Sequence, residues 1–139
     1  MWNKILILQS VISLGFNAAI SMKLKDVKNV EQVSYLNSVA TAINVGALAS
    51  AITLMATIKY YKIAADTHKF SILVGIISSL VNSVLYIMAL TKAEMHAVPS
   101  EAKTLVYVYT TINLLSLGAL FIYFFKTKVD IKFKKSKGD

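Results

Sequence analysis

The residue types that this sequence lacks are the first guide to its chemistry. None of its 139 residues is cysteine, which excludes disulfide bonds, thiolate nucleophiles and cysteine-bound metals. None is arginine either, since all 15 basic residues are lysine. The planar arginine fork is the usual grip on phosphate, so we expect no nucleic-acid partner. The formal net charge of +8 instead suits attraction to anionic lipid or to an acidic protein surface.

Charged residues are absent from four long stretches, residues 5–22, 32–58, 70–91 and 104–125. Each is long enough to span a bilayer, because about 20 helical residues cross a hydrocarbon core of roughly 30 Å. Hydrophobic residues make up 56% of the chain, and a mean hydropathy of +0.61 is high for a soluble domain of this length. The sequence therefore predicts an all-α membrane protein, with transmembrane helices at about 5–22, 35–58, 70–91 and 104–125.

The connections between these predicted helices are short, so neighbouring helices should be antiparallel. We expect an up-down bundle of four transmembrane helices with short loops and an extended basic C-terminal tail. The only proline, Pro99, lies in the third connection. Ala19-Ile20-Ser21 has the small-residue pattern of a signal-peptidase site, but we interpret the first span as a retained transmembrane helix.

Lysines are divided unequally between the two sides of the predicted bundle. Ten lie before the first span, in the second connection and after residue 125, whereas five lie in the first and third connections. Lysine-rich segments near helix ends stay on the cytosolic side, and aromatic residues such as Trp2, Tyr61 and Tyr123 favour the same interface. We therefore predict a multi-pass protein with both termini on the cytosolic or equivalent side.

The four spans contain no ionisable side chain of the kind that marks proton relays and ion pathways in membranes. The sequence also has no Ser, His and Asp arrangement, no glycine-rich phosphate loop and no metal-ligand spacing. We expect no catalytic residues, no cofactor, no metal and no small-molecule substrate. An enzyme is the interpretation with the least support.

Each predicted helix carries at least one asparagine. A primary amide in hydrocarbon is costly unless it is paired, so these side chains should face one another and form hydrogen bonds between helices. Packing is the simpler interpretation, and a polar path for a small solute is the alternative. The asparagines are Asn17, Asn37, Asn44, Asn82 and Asn113.

Small residues recur at four-residue spacing in the second and third spans. Such stripes let helix backbones approach closely, which drives association where burial from water offers no gain. We expect these stripes to pack within the bundle, and contact between copies is the alternative. The second span has Ser38, Ala42, Gly46 and Ser50, and the third has Gly75, Ser79 and Ser83.

Within the tail, residues 126–139, charged and apolar residues alternate over residues 128–134, which is the periodicity of a strand. It could add to the edge of a partner's sheet, or it could be a solvated polybasic segment near anionic headgroups. Lys135 and Lys137 also fit the dilysine pattern that retrieves proteins to the endoplasmic reticulum. The candidate partner-binding residues are Lys128, Val129, Ile131, Lys132, Phe133 and Lys134.

These features together predict a non-catalytic structural subunit whose partners are the lipid bilayer and other proteins of a larger assembly. The assembly could be the inner membrane of a large virus beneath its capsid, or an organellar membrane complex. The location would then be a virion membrane or one derived from the endoplasmic reticulum. The alternative is a small channel or facilitator with an Asn-lined path.

Overall fold

A computed structural model describes the backbone of residues 2–61 and 65–138, and within those ranges the side chains of residues 4–56 and 70–126. This part of the chain is helical, with a short 3₁₀ helix, Ala93–Ala97, before the last long helix. Four helices are long and apolar enough to cross a membrane. They are α1 (Trp2–Leu24), α2 (Glu31–Tyr61), α3 (Ala65–Leu90) and α4 (Ser100–Gly138).

The helices extend past the charge-free stretches at most of their ends. Helix α4 differs most, because it continues without a break to Gly138, where the sequence pattern predicted an extended tail or docked strand. A helix that is already formed gains one hydrogen bond for each added residue without a new nucleation cost, and lysine is a good helix former. The side chains of residues 127–139 lie outside the described residues, so docking of the tail stays a prediction.

Local interactions fix the connections at one end of the molecule. Asn29 turns the chain between α1 and α2 with a φ of 65°, a conformation that asparagine tolerates better than most residues. The Val33 backbone N–H donates to Glu94 Oε1 at 2.5 Å. Lys23 Nζ lies 2.5 Å from Glu101 Oε2, which ties the end of α1 to the start of α4.

The four helices pack around a common interior, in which α1 contacts α2, α3 and α4, and α3 also contacts α2 and α4. The larger apolar cluster lies near the α1–α2 and α3–α4 connections and includes Ile20, Val33 and Val106. A smaller cluster of Ile72, Ile76 and Leu120 lies toward the other end. A polar layer occupies the space between these two clusters.

Polarity is distributed in the opposite way to a water-soluble protein. Many polar side chains, including those of Asn44, Ser79 and Tyr86, are buried between the helices, whereas large apolar side chains cover much of the outside. A soluble helix would instead turn its apolar stripe inward and its polar face outward. More than half of the side-chain surface is exposed at Leu8, Met22, Val45, Ile52, Leu115 and Ile122.

Candidate functional site

Six buried side chains form one hydrogen-bonded network that joins all four helices, which we call the amide network. Each is at most 3% exposed, so water cannot satisfy its polar atoms. An unpaired amide there would be costly, and the network supplies the partners. Its members are Asn17 of α1, Asn37 and Asn44 of α2, Asn82 and Tyr86 of α3, and Tyr109 of α4.

One half of the amide network is a closed circuit through α1, α2 and α3. Asn17 Nδ2 donates to Tyr86 Oη at 2.6 Å, and the Tyr86 hydroxyl donates in turn to Asn37 Oδ1. Asn37 Nδ2 completes the circuit by donating to the Asn17 backbone oxygen at 3.1 Å. The Tyr86 hydroxyl therefore acts as acceptor and donor at once, which fixes both neighbouring amides.

The other half centres on Asn44 and brings in α4. Asn44 Nδ2 lies 2.7 Å from Asn17 Oδ1 and 3.0 Å from Tyr109 Oη, with Asn82 Oδ1 farther away at 3.4 Å. Asn82 Nδ2 donates to Asn44 Oδ1 at 2.9 Å and to the Ser78 backbone oxygen at 2.7 Å. A single amide on α2 thus contacts partners on all three other helices.

Aromatic rings pack beside these amides. The Tyr86 and Tyr109 rings meet edge to face, with centroids 4.9 Å apart. Phe16 stacks on Tyr109 at 5.3 Å. These ring contacts hold the two hydroxyls in place and fill the space around the amides.

Amides and hydroxyls have different roles in this interior. Several hydroxyls donate to the backbone oxygen one turn earlier in their own helix, as Thr41 does to Asn37, Ser83 to Ser79 and Thr110 to Val106. Such bonds satisfy the hydroxyl locally and join no helices. The asparagine side chains instead reach across, so the amides supply most of the polar contacts between helices.

The small-residue stripe of α3 is buried. A Cβ placed on Gly75 would lie 3.1 Å from Leu120 Cδ1 and 3.5 Å from Gln9 Oε1. Ser79, one turn later, accepts a 2.6 Å hydrogen bond from Gln9 Nε2. Ser83 is also buried, so this stripe lets α1 and α4 approach α3 closely.

The small-residue stripe of α2 is on the outside, which corrects the expectation that it packs within the bundle. Ser38, Ala42 and Gly46 are exposed and Ser50 is partly exposed. A Cβ on Gly46 would have no neighbour within 4 Å. The side of α2 that carries Asn37 and Asn44 faces the interior of the bundle. The side that carries Ser38, Ala42 and Gly46 therefore faces outward, because only one side of a helix can pack against the same neighbours.

Asn113 is the one predicted asparagine that does not join the amide network. It is 2% exposed, and its Nδ2 has no hydrogen-bond partner among the residues that the structure describes. A buried donor without a partner costs roughly 1–3 kcal/mol. Asn113 also lines a groove between α1 and α4, which makes it a second polar position of interest.

The two tyrosines of the amide network were not predicted from the sequence. A usable signal exists, because Tyr86 follows Asn82 by four residues and therefore lies on the same helix face. Tyr109 precedes Asn113 by the same interval. In a membrane span, however, tyrosine usually indicates an interfacial position, so spacing alone does not place these rings in the interior.

The chemical capacity of the network is hydrogen bonding between neutral groups. Its six side chains have no carboxylate, imidazole or amine to transfer a proton at neutral pH. In the described part of the chain, no three His, Cys, Asp or Glu side chains come together as metal ligands. Comparison with protein-family models, curated proteins and solved structures gives no match.

Proposed function

We propose that this chain is an integral membrane protein whose four helices cross the bilayer as an up-down bundle. The inverted distribution of polarity supports this proposal. Lipid is the solvent that suits exposed Leu115 and Ile122 while the asparagines stay inside. The lysine distribution supports termini on the cytosolic or equivalent side.

Within the membrane, we propose that the chain is a non-catalytic structural subunit of a larger assembly. The observation that carries this proposal is the exposed stripe of Ser38, Ala42 and Gly46 on α2. Small residues at four-residue spacing allow another helix to approach within close backbone contact. Large apolar side chains cover much of the outer surface, and the small residues of this stripe leave room for a helix of a neighbouring subunit.

The amide network supports the same role. A subunit that positions other proteins must keep its own helices in a fixed arrangement, and the amide network joins all four helices. The membrane of a large virus beneath its capsid and an organellar membrane complex are the two proposed settings. In either one, the basic segment after residue 125 would contact an acidic partner or anionic headgroups.

The alternative is a small channel or facilitator with an Asn-lined path. Such a path needs amides that face a continuous aqueous route. The amides of Asn17, Asn44 and Asn82 bond to one another, and none of them lines the groove between α1 and α4 or the two other cavities found in the described part of the chain. This arrangement favours the structural role.

Two measurements separate these functions. Mild-detergent extracts of native membranes should contain the wild-type chain in a complex larger than one subunit, and Gly46→Ile should release it as a monomer with unchanged thermal stability. Liposomes containing the purified chain should show no ion or solute flux above protein-free liposomes. A stable wild-type monomer with no co-purifying partner would refute the structural role, and flux that Asn44→Leu abolishes would establish the alternative.

A further inference from the structure

A groove of about 410 Å³ lies between α1 and α4. Its walls are mainly apolar and come from the first half of α1 and the middle of α4. Leu8, Ile12 and Tyr123 are each more than 40% exposed, so the groove opens to the outside of the bundle. The lining residues that matter here are Leu8, Ile12, Ser13, Asn113, Ser116 and Tyr123.

Asn113 gives this apolar groove a specific polar position. Its Nδ2 is the donor described above that has no partner in the described structure, and Ser13 and Ser116 line the same groove. The terminal torsion of asparagine is broad, so the amide can turn an N–H toward the groove without moving the helix. A ligand with an acceptor oxygen would supply the missing partner.

The lining restricts the charge and size of that ligand. None of the described residues that line the groove is charged, so a charged group entering it would lose its hydration without compensation from them. The groove volume of about 410 Å³ lies in the range of small-molecule sites.

The depth of Asn113 in the bilayer further restricts the chemistry of the ligand. This inference rests on the proposed membrane crossing. Asn113 precedes Lys126 by 13 residues, which corresponds to roughly 20 Å along α4. Half of a typical hydrocarbon core is about 15 Å. Asn113 would therefore lie near the middle of the bilayer, below the level of phospholipid ester groups.

We propose that the α1–α4 groove binds a neutral, lipid-soluble molecule whose carbonyl oxygen accepts a hydrogen bond from Asn113. The apolar part of the molecule contacts Leu8 and Ile12 on α1 and Tyr123 on α4. The ligand reaches the groove sideways from the lipid rather than from water. Asn113 selects for an oxygen at this depth, and the apolar walls supply the remaining contact.

Benzophenone is a suitable probe because it is a neutral ketone and inserts into neighbouring C–H bonds under ultraviolet light. The purified chain in lipid nanodiscs should show saturable labelling that peptide mapping assigns to the groove. Diphenylmethane has the same rings without the oxygen, and it should compete about three- to tenfold more weakly, the range expected for one hydrogen bond. Asn113→Leu should weaken benzophenone labelling by a similar factor.

Three features of the experiment distinguish ligand binding by Asn113 from an effect on folding and from the proposed structural role. Thr111→Val removes a polar group from an exposed position of the same helix and should leave labelling unchanged. Unfolding measurements should show that Asn113→Leu is as stable as the wild type. The experiment uses the isolated chain, so failure of the proposed assembly leaves its result intact.

Three results would overturn the proposal. Labelling that rises linearly with benzophenone concentration and spreads over all lipid-facing residues would mean that benzophenone only partitions into the lipid. Equal competition by diphenylmethane would mean that the groove recognises shape without the oxygen. A phospholipid that stays bound in the groove and blocks labelling would identify an acyl chain as the occupant.

Discussion

Asn82 donates a 2.9 Å hydrogen bond to Asn44 across the interface between α3 and α2. Each residue of the pair is at most 2% exposed, and both belong to the amide network. Removing one partner leaves the other amide without its hydrogen bond in a space that water does not reach. The pair is therefore the natural starting point for testing how the helices are held together.

Asn44→Leu should lower the free energy of unfolding by about 1–3 kcal/mol, because buried partners on three helices lose a hydrogen bond. Asn113→Leu is a matched control, since it makes the same change at a buried amide whose Nδ2 has no partner among the described residues. Its stability should equal or exceed that of the wild type. Reversible unfolding in mixed micelles measures both, and equal losses in the two variants would contradict the network.

A double-mutant cycle isolates the Asn44 and Asn82 contact itself. Hydrogen bonds between membrane helices average about 0.6 kcal/mol and reach about 1.7 kcal/mol. The combined Asn44→Leu and Asn82→Leu variant should therefore lose less than the sum of the single losses by an amount in this range. Strict additivity would mean that the two amides contribute independently.

Tyr86→Phe tests the circuit through α1, α2 and α3. The variant keeps the ring and its contact with Tyr109 but removes the hydroxyl that accepts from Asn17 and donates to Asn37. We expect a loss of about 1–3 kcal/mol in unfolding free energy. Tyr107→Phe is the control because Tyr107 is 58% exposed, and it should lose less than half as much.

Gly75→Ile and Gly46→Ile place the same bulk in the two small-residue stripes. Gly75 lies against Leu120 and Gln9, so isoleucine there should overpack the interior and cost about 1–3 kcal/mol or more. A Cβ added at Gly46 would have no neighbour within 4 Å, so isoleucine there should leave the stability of the single chain unchanged. Thermal unfolding of the two purified variants decides this, and destabilisation by Gly46→Ile would place the α2 stripe in an intramolecular contact.

The absence of cysteine makes single-cysteine labelling a direct test of orientation. In sealed vesicles with the cytosolic face outward, a membrane-impermeant maleimide should label Lys4→Cys and Lys126→Cys. Ala97→Cys lies in the connection before α4 and should react only after the vesicles are opened. Labelling of Ala97→Cys in sealed vesicles would contradict the predicted topology.

Much of the fold could be predicted from the sequence, because charged side chains are costly in the hydrocarbon core of a bilayer and are therefore rare in membrane-spanning helices. Four charge-free stretches long enough to span a bilayer correspond to the four long helices. The sequence did not determine which side of α2 faces inward. Both sides are free of charge, and small residues pack well either inside a bundle or against a neighbouring protein.

Part of the candidate site could also be predicted, because unpaired polar groups are costly in the hydrocarbon core, as charges are. Amides in an apolar span must find partners, so Asn17 and Asn44 could be expected to meet. The separate position of Asn113 depends on the rotation of α4 against α1, which no local pattern specifies. The helical continuation to Gly138 was missed because alternating lysine and apolar residues are compatible with both a strand and a helix.

The most direct test of the structural role is cross-linking through the α2 stripe in native membranes. Ala42→Cys introduces one thiol into the exposed stripe, and Leu115→Cys introduces one on the exposed side of α4 as a control. A photoactivatable cross-linker attached through a maleimide to that thiol needs no cysteine on the partner, and it should convert the Ala42→Cys chain into one product of discrete, higher mass, whereas the Leu115→Cys chain gives no such product. An Ala42→Cys chain that remains a monomer under conditions in which its thiol is accessible would contradict the account.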